Sequence, residues 1–286
     1  MADIVAIGLR GLAFAAALQA AGAVLFVRLF GGQLDLSAPP IRRLAVAAGA
    51  VALLLTFAHA LIEPTRLTGE FASIFDGSLH ALLLGSDAGT ATAIRVAGLA
   101  LILGGTQQRS APGNAAALIG ATLTAASFAL TGHTASDEQR WLLAPLLIVH
   151  LLVVAFWFGA LWPLATVARC EMPAVGGKLI GEFSRLAVRL VPAILIAGTV
   201  IAAFLLPDLA SLGSSYGRML LAKVAAFALL LGLAAANKWR FGPGVGRGDR
   251  AAVVAFRRTV LAEGMLIFAV VVLTAVMTAL FSPTLS

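Results

Sequence analysis

Apolar residues in this chain run in long blocks instead of alternating, and the blocks are longer than core helices need. A helix crossing a hydrocarbon layer of about 30 Å takes about 20 residues. Eight stretches stay apolar for that long: 4–30, 42–62, 90–108, 113–131, 141–168, 181–206, 216–239 and 251–281. Strands would read as shorter alternating segments, so the pattern predicts an all-α polytopic membrane protein with eight transmembrane helices and the lipid bilayer as its solvent. The first block follows no basic segment and is too long for a cleaved signal, so it reads as a retained span. Its Gly11, Ala15 and Gly22 recur at helical spacing, which lets helix backbones approach closely.

Between the blocks the pattern is less regular. A Pro39-Pro40 turn leads into the second block, and Pro64 is expected to end it. The longest connection, 65–89, mixes Phe71, Ile74, Phe75 and Leu82 with polar residues; it is too polar to cross and is expected to lie in the outer interface. An internal repeat is also present. Leu84-Gly85-Ser86-Asp87-Ala88-Gly89 precedes Arg95 as Leu212-Gly213-Ser214-Ser215-Tyr216-Gly217 precedes Lys223, at an offset of 128 residues. That offset is four spans and preserves orientation, which predicts two parallel four-helix halves, 1–131 and 132–286.

Composition agrees: 60% of residues are hydrophobic and 12% charged, with a mean hydropathy of +1.00, where soluble domains carry about a quarter charged residues. The net charge of +7 adds direction. Arg28, Arg42, Arg43, Arg109, Arg169, Lys178, Lys238, Arg240, Arg247 and Arg250 flank the first, third, fifth and seventh loops, the bias of cytoplasmic loops. Both termini are then expected outside, periplasmic for a bacterial inner-membrane protein, and the charge does not point to nucleic acid. The opposite loops carry Glu63, Glu70, Asp76, Asp87, Asp137, Glu138 and Asp208, an acidic face that attracts cations or simply keeps the loops solvated. Cys170 is the sole cysteine, which excludes an internal disulfide and a cysteine-cluster metal site.

On this topology all four histidines, His59, His80, His133 and His150, fall in the outer half. His59 and Glu63 are four apart and share a helix face. His150 lies nine residues past Trp141, about 14 Å along its helix, where an imidazole needs a cavity or a partner. Imidazole and carboxylate together suit a transition metal, so His59, His133, His150, Glu63 and His80 are the candidate metal ligands. Trp157 returns to the face of His150, with Gly159 and Pro163 expected to loosen the helix below it. Glu263 falls near the middle of the last span, where a carboxylate is costly unless neutralised or paired; with Trp157 and Met277 it marks a candidate transport path. Two other readings of the histidines stay open: a b-type haem electron carrier with bis-histidine ligation, and a membrane scaffold for a periplasmic metallochaperone.

Gly132-His133-Thr134 and the run from His150-Leu151 to Trp157-Phe158-Gly159-Ala160-Leu161 resemble segments of the CopD family of bacterial copper-resistance membrane proteins. The likeness continues through Phe183-Ser184-Arg185, Tyr216-Gly217-Arg218, Lys223, Asn237-Lys238 and Arg257-Arg258 to Glu263. It covers 130–282 and the first half only loosely. Thr134 stands where alanine is usual and Ala160 where a second glycine is; neither change removes a candidate ligand. The resemblance implies a non-enzymatic inner-membrane protein that moves copper ions between periplasm and cytoplasm, with a separate small periplasmic copper binder, CopC, as partner. Copper comes from this resemblance alone, since the spacing does not separate Cu(I), Cu(II) and zinc.

Overall fold

The computed structural model describes residues 2–108, 110–132, 135, 137–206 and 210–280, and among them helix is the only regular secondary structure. In chain order the helices are α1 (Ala2–Phe30), α2 (Ala38–Thr68), α3 (Gly77–Leu84), α4 (Asp87–Gln107), α5 (Ala111–Ser127), α6 (Arg140–Cys170), α7 (Pro173–Leu205), α8 (Ser215–Ala236), α9 (Gly242–Gly246) and α10 (Arg250–Leu280). All but α3 take part in eight segments long and apolar enough to cross a membrane, α8 and α9 within one of them. These coincide with the eight apolar blocks, and the chain is a multi-pass membrane protein. An even number of crossings puts the start of α1 and the end of α10 at one end of the bundle, here the near end, opposite a far end.

Two expectations about proline need correcting. Pro39 and Pro40 lie inside the first turn of α2, where a missing N–H leaves no helical bond unmade. Pro64 does not end α2, which runs on to Thr68 and stops at Gly69 with φ 80°. A proline removes one rung of the ladder, and here the next turn is held from its side chains. The Thr65 hydroxyl donates to the Ile62 carbonyl at 2.6 Å and that of Thr68 to the Pro64 carbonyl at 3.3 Å. The following connection holds a short 3₁₀ turn and α3. It turns Phe71, Phe75, Leu82 and Leu84 outward, Phe75 being 90% exposed. Asp76 caps α3: the Ser78 hydroxyl and the Leu79 and Ser78 amides donate to its carboxylate and hold its pKa below the ordinary value.

The core is centred on α1, the most buried of the spans, which packs against α2, α5, α6 and α10. Its small residues do what their spacing suggests. At the α1–α6 crossing a methyl group on Gly22 would lie 1.8 Å from the Ala155 carbonyl oxygen, and one on Gly159 would lie 2.4 Å from the Gly22 Cα. Gly159 is therefore a contact point and not the loosening element expected of it. Pro163 leaves the Gly159 carbonyl without its amide partner four residues on, and the Gln19 side chain of α1 donates to that oxygen at 3.1 Å.

The repeated Gly-Ser segments have one local structure. Ser86 caps α4 by accepting from the Gly89 amide at 3.2 Å, and Ser214 caps α8 by accepting from the Gly217 amide at 3.1 Å. In the second half α6 packs on α7 and α10, and α8 packs on α10, but α7 and α8 do not pair along their length. The gap between them holds a cavity of about 380 Å³. Past α8 the chain makes a π-helical turn, Asn237–Phe241, before α9.

Candidate functional site

Glu263 is 2% exposed, in the interior of α10. The Trp157 indole N–H of α6 donates to its Oε2 at 3.1 Å, and the Asn237 amide Nδ2 donates to its Oε1 at 2.6 Å. The Thr259 hydroxyl, one helical turn before Glu263, in turn donates to Asn237 Oδ1. Asn237, near the end of its apolar block and next to Lys238, is buried, and it opens the π turn. Such turns shift the register of a helix by one residue and gather at functional places. The carboxylate is thus held by two neutral N–H donors, and among the described residues no cationic side chain pairs with it. It borders the cavity, whose walls are mostly apolar side chains such as Phe183, Val191, Leu231 and Val260, with Ser184 and Asn237 among them and Lys238 toward the far end.

His150 lies seven residues before Trp157, two helical turns or about 10 Å along the same face of α6. Its ring packs over Gly198 of α7, where an added methyl group would meet Cε1 at 3.6 Å. The Ile194 backbone comes close without a well-formed hydrogen bond, so Nδ1 is buried and unpaired. Lys223 of α8 is the charge that acts on the ring. His150 therefore stands between α7 and α8, nearer the near end than Glu263, in the same gap.

The first half places its histidine differently. His59 Nε2 lies 3.5 Å from Glu63 Oε2, and neither atom has a hydrogen bond. The other Glu63 oxygen accepts from Arg66 Nη1 at 3.1 Å, and Arg66 Nε donates to Asp3 at 3.2 Å. Arg10, Arg95 and Arg66 all bear on the His59 ring. Arg95 is tied down by the Ser127 hydroxyl at 3.0 Å and lies 4.0 Å above the Phe128 ring. The acidic face expected at this end is, around His59, a mixed cluster in which arginines predominate. Arg10 and Arg95 were legible as single charges inside apolar blocks, the usual mark of a buried functional or structural ion.

The remaining candidates are separate. His80 Nε2 sits 2.8 Å from the Ile74 carbonyl, within its own connection. Met277 is buried on α10. His133 lies outside the described residues. Among those described, no three of histidine, cysteine, aspartate and glutamate converge to hold a metal. At the far end Glu171 joins the end of α6 to the start of α2, accepting from Ser37 Oγ at 2.5 Å, the Ser37 amide at 2.9 Å and the Asp35 amide at 3.1 Å. Burial raises its pKa, but these bonds together outweigh burial and hold it below the ordinary value.

Comparison with known proteins covers most of the chain. Residues 1–142 match the family described as Copper resistance protein D-like, N-terminal domain, and residues 177–277 match that described as Copper resistance protein D. Copper resistance protein D of Pseudomonas syringae pv. tomato is 34% identical over 128 residues, a match spanning 41% of this chain and 41% of that protein. No solved structure matches. The first match takes in the arginine cluster around His59 and the second takes in Asn237, Thr259 and Glu263, while His150 and Trp157 fall between the two; over these matched segments the chain belongs to the CopD, or copper resistance protein D, family.

Proposed function

We propose that this protein carries copper ions across the bacterial inner membrane in the service of copper resistance. The observation that bears most weight is the gap between α7 and α8, which holds an unpaired imidazole, His150, and beyond it a buried carboxylate, Glu263, beside a cavity. A buried anion without a cationic partner attracts a cation, and an imidazole nitrogen without a hydrogen bond is free to ligate one. His150 is the deepest ligand in this reading, and Trp157, Glu263 and Met277 mark the path. His59, His133, His80 and Glu63 are mouth residues that gather the ion at the near end, none of them indispensable to the path through the second half. The three arginines near His59 oppose a resident cation there, so this group guides or hands over and does not store.

The bias of basic residues toward the far-end loops supports a periplasmic near end, where a CopC-like copper binder can deliver its cargo. The test is copper-dependent growth and cellular copper content for the wild type and His150→Ala at matched membrane levels, with metal content and optical spectrum of the purified proteins. Loss of the copper phenotype together with bound copper supports the proposal. An unchanged phenotype rejects it, and a haem Soret band in the purified wild type replaces it with electron transfer.

A further inference from the structure

Glu263 borders the path, but its surroundings do not make a copper-binding site. Among the described residues the cavity lining contains no histidine, cysteine or methionine; it offers Trp157, Asn237, Ser184 and Lys238 among apolar side chains. Imidazole and thioether are the ligands that suit copper, Cu(I) above all. Both carboxylate oxygens already accept N–H bonds, which leaves no ring of oxygens for a hard metal ion such as sodium or calcium. The cation that fits one buried carboxylate without other ligands is the proton.

The hydrogen bonds around it can be satisfied in either protonation state. With Glu263 ionised, Trp157 and Asn237 donate to it and Thr259 donates to Asn237. With Glu263 protonated on Oε1, Trp157 still donates to Oε2. The Asn237 amide then turns over, so that Oδ1 accepts from the new O–H and Nδ2 donates to Thr259. Thr259 keeps an acceptor for its own proton, because the Phe256 and Ala255 carbonyls lie 2.9 and 3.1 Å from its hydroxyl. No group is left unpaired in either state, so the network costs little to reverse. Among the described residues Lys238 is the only charged side chain besides Glu263 that lines the cavity, and α1, α6, α7 and α8 direct no titratable group at the carboxylate. Lys238 and Trp239 line the part of the cavity nearest the far end.

From this geometry we propose that Glu263 is a proton-exchange site, loaded through the far-end cavity and coupled to copper movement past His150, with Asn237 as the element that turns over. The proposal rests on the transport reading for its coupling but not for the protonation itself, and the experiment separates the two. Infrared difference spectra of the purified protein in lipid nanodiscs, taken across about pH 4 to 9, read the C=O stretch of buried carboxylic acids. The wild type should show a titrating band that is lost in Glu263→Gln and moves to higher wavenumber in Trp157→Phe, where the acid loses an N–H donor. If Glu263→Gln does not fold, the Trp157→Phe shift identifies the band alone. A spectrum identical in wild type and variants overturns the site.

In proteoliposomes, copper exchange without a gradient and copper accumulation driven by a pH gradient are then compared. Accumulation lost in Glu263→Gln with exchange retained supports coupling. Wild-type exchange indifferent to the pH gradient overturns the coupling and leaves transport standing. No wild-type exchange at all overturns transport, and the coupling with it, while the infrared band still decides whether Glu263 takes a proton.

Discussion

Glu63 and Glu263 are both carboxylates set among membrane-spanning helices, one in each half of the chain, and they meet the cost of burial in opposite ways. Glu63 is a quarter exposed, accepts from Arg66 and stands among two more arginines. Glu263 is buried, accepts only from an indole and an amide, and opens on a cavity. The histidines differ in step: His59 faces guanidinium groups, while His150 faces a glycine and a single lysine. Where fixed arginines already answer the carboxylates and outnumber them, a mobile cation gains little by entering. Where an anion is left over, it has somewhere to go, and the second half is the one that meets this condition.

Breaking the bundle should erase the comparison altogether. Gly159→Val places methyl groups inside the α1–α6 contact; the expected loss is above about 3 kcal/mol, the upper range for overpacking, seen as failure to purify as a monodisperse species. Glu63→Gln sharpens it by leaving Arg66 with only Asp3. Removing one partner of a buried pair costs about 3–5 kcal/mol, and partial exposure reduces this to about 1–2 kcal/mol, measurable as a lower unfolding temperature.

Glu263→Gln should cost less than about 1 kcal/mol despite being the more buried site. A glutamine can accept from Trp157 and donate to a turned Asn237, so a larger thermal destabilisation than that of Glu63→Gln would break the contrast. The smallest effect is at Glu171, far from both. Its folded pKa lies below the unfolded value, so its stabilising bonds are present above the ordinary carboxylate range and are lost as pH falls through the depressed value. The unfolding temperatures of wild type and Glu171→Gln should differ at neutral pH and converge in acid.

The eight spans were legible because a hydrocarbon layer imposes length and apolarity on any helix that crosses it, and Gly22 was legible because small residues at helical spacing have one main use. The continuation of α2 past Pro64 was not legible, since it depends on whether the next turn finds other partners, here the hydroxyls of Thr65 and Thr68. Glu263 and Trp157 stood out individually as a charge and an indole in apolar blocks. Their hydrogen bond did not, because it joins α6 and α10 across 106 residues. The role of Asn237 was not legible for a related reason: next to Lys238, Trp239 and Arg240 it looks like a boundary residue, and it is buried where the π turn begins. The histidines were grouped by depth, which sequence supplies, but depth says nothing about position around the bundle. There His59 keeps company with α1 and α4, and His150 with α7 and α8.

That separation makes one measurement decisive for the claim that the ion path runs through the second half. Copper accumulation by cells carrying His150→Ala, Glu263→Gln, His59→Ala or Glu63→Gln, normalised to protein in the membrane, sets the two halves against each other. The account predicts a loss of about tenfold or more for His150→Ala, net accumulation abolished in Glu263→Gln, and most of the wild-type level retained in His59→Ala and Glu63→Gln. Full activity in His150→Ala with loss in His59→Ala would contradict it and move the path to the first half.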